Sequence, residues 1–317
     1  MCAKAIKKEK NSLIELCRFL FAIWVLYYHS YVPFKNEHWS NGYLAVEFFF
    51  VLSGFYLISS IDKYASMPTR QGLSKFLVHR FSAISVPFLI NEVFVVYYDL
   101  CSKPSYNFLF GYLWYIRDLF IAMTVIFLLR RFIKREKVFY IVLSILSLTS
   151  LFAFMRLPVV AWPGGPFRSV ASIPIGMIAA LIPKIAIKKD GKKNSILPAI
   201  LVAAGLLVSA ISCLLIAYSD EKSLFIKYLL VLIVYPAMIY FASCIRFNNS
   251  FLNWLGSLSF PIYAFQCPIR VLEHYGVNDR MTLFIILISI VLCYSVITKF
   301  IKWLKKGNIQ GKNEARI

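Results

Sequence analysis

The sequence predicts an all-α membrane protein, a polytopic bundle of about ten transmembrane helices with both termini cytoplasmic. Three observations carry that prediction. Of 317 residues 60% are apolar and 16% charged, with a mean hydropathy of +0.69, whereas a soluble domain is nearer half apolar and a quarter charged. The apolar residues gather into runs close to the ~20 that a bilayer requires. The 35 Lys and Arg divide unevenly between alternate connecting segments.

In chain order the runs lie at roughly 13–33, 43–61, 76–98, 109–129, 138–155, 168–187, 196–217, 224–245, 253–273 and 281–301. The third contains Pro87, Asn91 and Glu92, and the sixth Pro174 and Pro183, so both predict kinked helices sheltered by neighbours. Trp162-Pro163-Gly164-Gly165-Pro166 reads as a turn, and the tail from Lys302 as a polar, basic extension. The first apolar run is too long for a signal-peptide core, and no small-residue cleavage site follows it. No internal repeat or composition break divides the chain, which predicts a single domain over 1–317.

With the N-terminus inside, the inner segments hold 25 Lys and Arg, and the outer ones hold 8: Lys35, Lys103, Arg156, Arg168, Lys222, Lys227, Arg270 and Arg280. Arg18 and Arg117 fall within runs. This is the positive-inside signature of a multi-pass cell (plasma or inner) membrane protein. The net charge of +20 therefore concerns topology and anionic membrane lipid, not nucleic acid. Seven scattered cysteines form no Cys-x-x-Cys and no Cys/His cluster, so neither a metal site nor a disulfide framework is expected.

Ionisable groups inside apolar runs are costly and usually face a bundle interior or a substrate path. Arg18 and His29 lie eleven residues apart on the first run, about three turns and about 16 Å along one helix face. His29 sits about one turn inside the end of that run and Glu47 about one turn inside the start of the next, which predicts similar depth. With the orientation above, Arg18 and Arg80 fall toward the inner surface. His29, Glu47, Glu92, Arg117, Asp118 and Gln266 fall toward the outer one. Taken singly, Arg18 could snorkel, His29 could bond a carbonyl, Glu47 could sit at the interface, and Arg117 could neutralise Asp118. Three groups on one geometry favour a site.

The stretch "IELCRFLFAIWVLYYHS" followed by "NGYLAVEFFFVLSGFYL" resembles the opening of the membrane acyltransferase 3 family. That opening has an acidic residue three before an arginine, a histidine eleven after it, and a Gly-x-x-x-Val-Asp/Glu-Leu/Phe-Phe-Phe-Val-Leu-Ser-Gly-Phe block. Glu15, Arg18, His29, Gly42, Glu47, Phe49, Phe50, Ser53, Gly54 and Phe55 fall on the pattern. "FLVHRFSAISVPF" is similar to the family's third span, with Arg80 at its first arginine and Ala83 at the second position. "LWYIRDLF" matches a variant of its fourth span. "LGSLSFPIYAFQCPI" is similar to its ninth, with Gln266 where histidine is frequent.

The resemblance implies an O-acyltransferase that takes an acyl group, most often acetyl, from cytoplasmic acyl-CoA to a hydroxyl of an extracytoplasmic polysaccharide or lipid-linked sugar. It implies that Arg18 and Arg80 bind the donor's phosphates, that His29 is the general base, and that Glu47 orients or charge-balances it, with no metal. An acyl-enzyme stays open, although no Ser or Cys is paired with a base in the sequence. Two alternatives come from other classes. A polysaccharide-precursor transporter or flippase predicts transport without acyl-CoA and symmetry between halves. A non-catalytic membrane sensor is the other.

Overall fold

The computed structural model describes residues 11–29, 37–82, 84–101, 114–156, 164–182, 196–218, 224–245 and 247–314. Ala83, the 162–163 part of the turn, residues 30–33 of the first run and both chain ends lie outside them. Among the described residues every regular element is helical. The helices are α1 (Ser12–Tyr28), α2 (Ala45–Ala65), α3 (Thr69–Ser82), α4 (Ser85–Cys101), α5 (Trp114–Phe132), α6 (Glu136–Arg156) and α7 (Gly164–Leu181). They continue as α8 (Ile196–Tyr218), α9 (Leu224–Leu229), α10 (Tyr235–Cys244), α11 (Ser250–Ala264), α12 (Gln266–His274) and α13 (Arg280–Glu314). A 3-10 segment (Glu37–Leu44) leads into α2, and a π segment (Leu230–Val234) joins α9 to α10.

Among the described residues, four stretches can cross a membrane by length and composition alone: Asn41–Ala65, Glu136–Phe154, Pro198–Ile216 and Arg280–Ile301. A bent pair, Thr69–Ser82 with Ser85–Phe94, makes a fifth. Among the described residues, two of the ten expected runs break into separate helices and the eighth carries a π segment. The third bends by 70° between α3 and α4, and the ninth breaks at Phe265 between α11 and α12. The physical reason is the same in both. Pro87 is the third residue of α4 and Pro268 the third of α12, and proline is tolerated in a helix's first turn, where its missing N–H would be unpaired anyway. Pro236, second in α10, likewise follows the widened π turn. In addition α3 is polar: Arg70, Gln71, Lys75 and His79 are exposed, while Gly72 and Phe76 are buried, with Phe76 stacked on Phe127 at 5.3 Å.

α1 divides the interior. Phe21, Trp24 and Val25 join a core built with α2, α5, α7 and α10, while Ala22 and Leu26 pack with α11, α12 and α13. Its start is fastened there. Asn11 caps α1 by accepting from the Leu13 and Ile14 amides, and its Nδ2 donates to the carbonyls of Ala242 at 2.9 Å and Ile245 at 2.7 Å. α2 and α7 approach backbone to backbone, since a Cβ at Gly54 would collide with the Ile173 carbonyl and one at Gly176 with that of Val51. Small residues permit such contacts between helices in lipid. α8 and α13 bury only 22% of their apolar windows. That apolar outward surface is what a membrane-facing helix presents.

Candidate active site

Six residues into α1, Arg18 is held by Glu15 one turn earlier. Its Nη1 donates to both Glu15 oxygens, at 3.1 and 2.9 Å. Glu15 is buried where α1 meets α11, and Gly256 leaves it room: a Cβ there would overlap the carboxylate. The Arg18 side chain keeps 30% of its surface exposed, and its other guanidinium nitrogens make no bond among the described residues. Arg80, near the end of α3, donates through Nη2 to Ser60 Oγ at 2.7 Å and lies 5.8 Å over the Phe76 ring. Its Nε is buried without a partner among the described residues.

The structure brings these two arginines to one cavity of about 420 Å³. α1, α2, α3, α5 and α11 supply its walls, with His79, Tyr56, Ser53, Tyr115 and Tyr263 as polar lining and Leu52, Leu119, Phe120 and Met123 among the apolar one. On α2 the lining runs from Val46 to Tyr56, a rise of about 15 Å. The spare N–H groups at the arginines suit an anion, and the walls between suit an uncharged chain.

His29 and Glu47 are not among the described residues that line this cavity. His29 is the residue just past α1, half-buried, with its ring edge-on to Tyr28 at 5.2 Å. Tyr28 in turn meets Tyr43 at 5.8 Å. A Cβ at Gly42 would collide with Tyr28, so the segment that delivers Glu47 lies directly on the last turn of α1.

Glu47 has a partner that the sequence reading did not assign. Arg168 Nε donates to its Oε1 at 2.6 Å and Nη2 to its Oε2 at 2.8 Å, with both side chains fully buried. The same Nη2 donates to the Tyr43 carbonyl at 2.9 Å, and the guanidinium sits 4.6 Å over Trp114 and 5.4 Å over Phe154. Arg168 counts as an outer boundary residue in the sequence. In the structure it is interior, because α7 begins at Gly164, a full turn before it. The signal that could have found it is a lone cation inside an apolar run, just after the Pro-Gly-Gly-Pro sequence, of which Gly164 to Pro166 already belong to α7.

Beside this knot, Arg117 Nε donates to Asp118 Oδ1 at 2.8 Å, as the neutralising reading of that pair expects. Asp118 is fully buried against Gly165 at the start of α7, where a carboxylate is favoured by the helix dipole. Glu92 is bonded loosely by its neighbour Asn91 at 3.5 Å. Gln266 is buried, with its Nε2 unpartnered among the described residues. No group of three or more His, Cys, Asp or Glu suited to a metal occurs among the described residues.

The model of the acyltransferase 3 family, described as an acyltransferase domain, matches residues 11–302. Searches of curated proteins and of solved structures return no match. The family match takes in all but the two ends of the chain, with Arg18, His29, Glu47 and Arg80 inside it, and the helical architecture with its apolar outward faces agrees with a membrane enzyme. The chain belongs to the acyltransferase 3 family of membrane acyltransferases.

Proposed function

We propose that this acyltransferase is a multi-pass protein of the cell membrane that moves an acyl group, acetyl in the simplest case, from cytoplasmic acyl-CoA to a hydroxyl of an extracytoplasmic polysaccharide or lipid-linked sugar. The observation that carries the reading is the meeting of Arg18 and Arg80, from different helices, in the lining of one cavity with N–H donors to spare. Donor phosphates bind there through charge-assisted hydrogen bonds. The uncharged arm of the donor follows the apolar wall of α2 toward the end that carries Glu47.

His29 is the general base in this reading. It takes the proton of the acceptor hydroxyl as that oxygen attacks the thioester carbonyl. The C–O ester bond forms, the C–S bond breaks, and the proton returns to the departing thiolate of CoA. Glu47 acts on His29 through the fixed contact between its own segment and the last turn of α1. Both termini are cytoplasmic and all ten apolar runs cross or enter the bilayer, the third and ninth as broken helices of the kind that protein neighbours shelter.

Two experiments test this. Isolated membranes carrying wild-type, Arg18→Ala or Arg80→Ala protein are titrated with CoA and assayed with radiolabelled acetyl-CoA. Weakened CoA binding with the protein still folded is expected, and normal affinity in both variants would return these arginines to snorkelling. Cysteines placed at Lys134 and Tyr275, both exposed, report the topology. Tyr275→Cys should react with an impermeant thiol reagent in intact cells and Lys134→Cys only after permeabilisation, and the reverse pattern would overturn the orientation.

A further inference from the structure

Arg168 has no role in the chemistry above, yet it is among the largest fully buried side chains of the protein. A guanidinium entirely removed from water persists only where partners repay its lost hydration. Its bonds reach two separate structures. The bidentate pair with Glu47, at 2.6 and 2.8 Å, ties α7 to the first turn of α2. The bond to the Tyr43 carbonyl, at 2.9 Å, ties it to the 3-10 segment before α2. The Trp114 ring at 4.6 Å closes over it from α5.

The 3-10 segment is the piece of chain that touches the end of α1. Tyr43 packs on Tyr28 and Tyr28 on His29, and Gly42 leaves no room for even a methyl beside Tyr28. A shift at Tyr43 is therefore transmitted to the wall beside His29, because close-packed contacts do not absorb it. We propose that Arg168 is a positioning residue for acyl transfer. By gripping Glu47 and the Tyr43 carbonyl together, it fixes the surface against which the His29 imidazole is oriented. The inference rests on the reading of His29 as the base. Being fully buried, Arg168 acts on the geometry of the reacting end and not on donor binding, so its removal lowers kcat and leaves the donor KM alone.

The test uses the full chain in its own membranes, with radiolabelled acetyl-CoA titrated as donor and label counted in the glycan fraction. Arg168→Lys keeps the charge without the planar fork that grips Glu47 and the Tyr43 carbonyl together. The pair Glu47→Leu with Arg168→Met removes both charges together, so that no charge is left buried alone. Thermal unfolding in detergent establishes that each variant is folded. The expected result is an unfolding temperature close to wild type and a donor KM within about twofold, with kcat lower by about 10- to 100-fold, as small misplacements of reacting groups cause. Lysine should lose less than the double variant. A folded double variant with near-normal kcat would overturn the inference. So would a loss confined to donor KM. If the double variant does not fold, Arg168→Lys decides alone: reduced kcat at unchanged KM supports the inference, and unchanged kcat ends it. His29→Gln, assayed alongside, separates the two claims. Normal transfer by His29→Gln removes the base reading and the inference with it, whereas an inactive His29→Gln beside an active double variant keeps His29 as the base and removes the roles of Arg168 and Glu47.

Discussion

Arg168 and the pair Arg18 and Arg80 put the same side chain to opposite uses. Arg168 is fully buried, committed bidentately to Glu47 and bonded to the Tyr43 carbonyl. Arg18 spends one nitrogen on Glu15 and stays partly exposed, and Arg80 spends one on Ser60 and leaves Nε unpaired among the described residues. A cation with its donors taken up by protein builds structure. A cation with donors to spare in the lining of a cavity is set to bind something. The same family match covers both regions, and the geometry divides the labour between them.

The comparison breaks most visibly in stability. Arg168→Met or Glu47→Leu alone leaves a fully buried charge without its partner and should cost about 3–5 kcal/mol, whereas Arg18→Ala, which removes a partly exposed guanidinium from the buried Glu15, should cost clearly less. Thermal or denaturant unfolding in detergent measures both, and equal losses would erase the distinction. The close approach of α2 and α7 comes next. Gly54→Ala forces a methyl into the Ile173 carbonyl and should cost about 1–3 kcal/mol, as overpacking does, read by the same unfolding assay.

Binding shows the reverse order. Arg18→Ala and Arg80→Ala should each weaken CoA by about 10- to 150-fold, the equivalent of about 1.5–3 kcal/mol for hydrogen bonds to a charged group. Isothermal titration or equilibrium dialysis against CoA reads it. Arg168→Lys should leave CoA affinity within about twofold. The smallest effect belongs to Glu15→Gln. That pair is partly exposed, and the amide still accepts from Arg18, so CoA affinity should change by only a few-fold, in the range of about 0.2–1 kcal/mol. A large loss would mean that Glu15 does more than steady the guanidinium.

Much of this was legible in the sequence because it is local. Apolar runs of the right length specify helices whatever their partners. The eleven-residue spacing puts about three turns between Arg18 and His29, and the structure sets Arg18 near the middle of α1 and His29 just past its end. What was not legible depends on contacts between distant segments. Glu47 and Arg168 are 121 residues apart, and nothing in the periodicity of either run names the other as partner. Proximity to the Pro-Gly-Gly-Pro turn made Arg168 look like a boundary residue. The break between α3 and α4 and the one at Phe265 fall inside runs that read as continuous from Phe76 to Tyr98 and from Asn253 to Glu273. The prolines read as kinks within spans, while the structure uses Pro87 and Pro268 to begin new helices. The arginine cavity lies between these cases. Its cations could be picked out by depth, but Tyr115 and Tyr263 entered its lining only through packing of α5 against α11.

The most direct test of the account measures CoA binding and acyl transfer on the same membranes for His29→Gln and for Arg18→Ala. Glutamine retains a hydrogen bond at position 29 but cannot take up the acceptor's proton. The account predicts that His29→Gln binds CoA as wild type does while transfer from acetyl-CoA falls by about 10²–10⁴-fold, and that Arg18→Ala loses binding first, with transfer recovering as the donor is raised. Near-normal transfer by His29→Gln would contradict it and would move the search for the chemistry to Asp118 and Glu92.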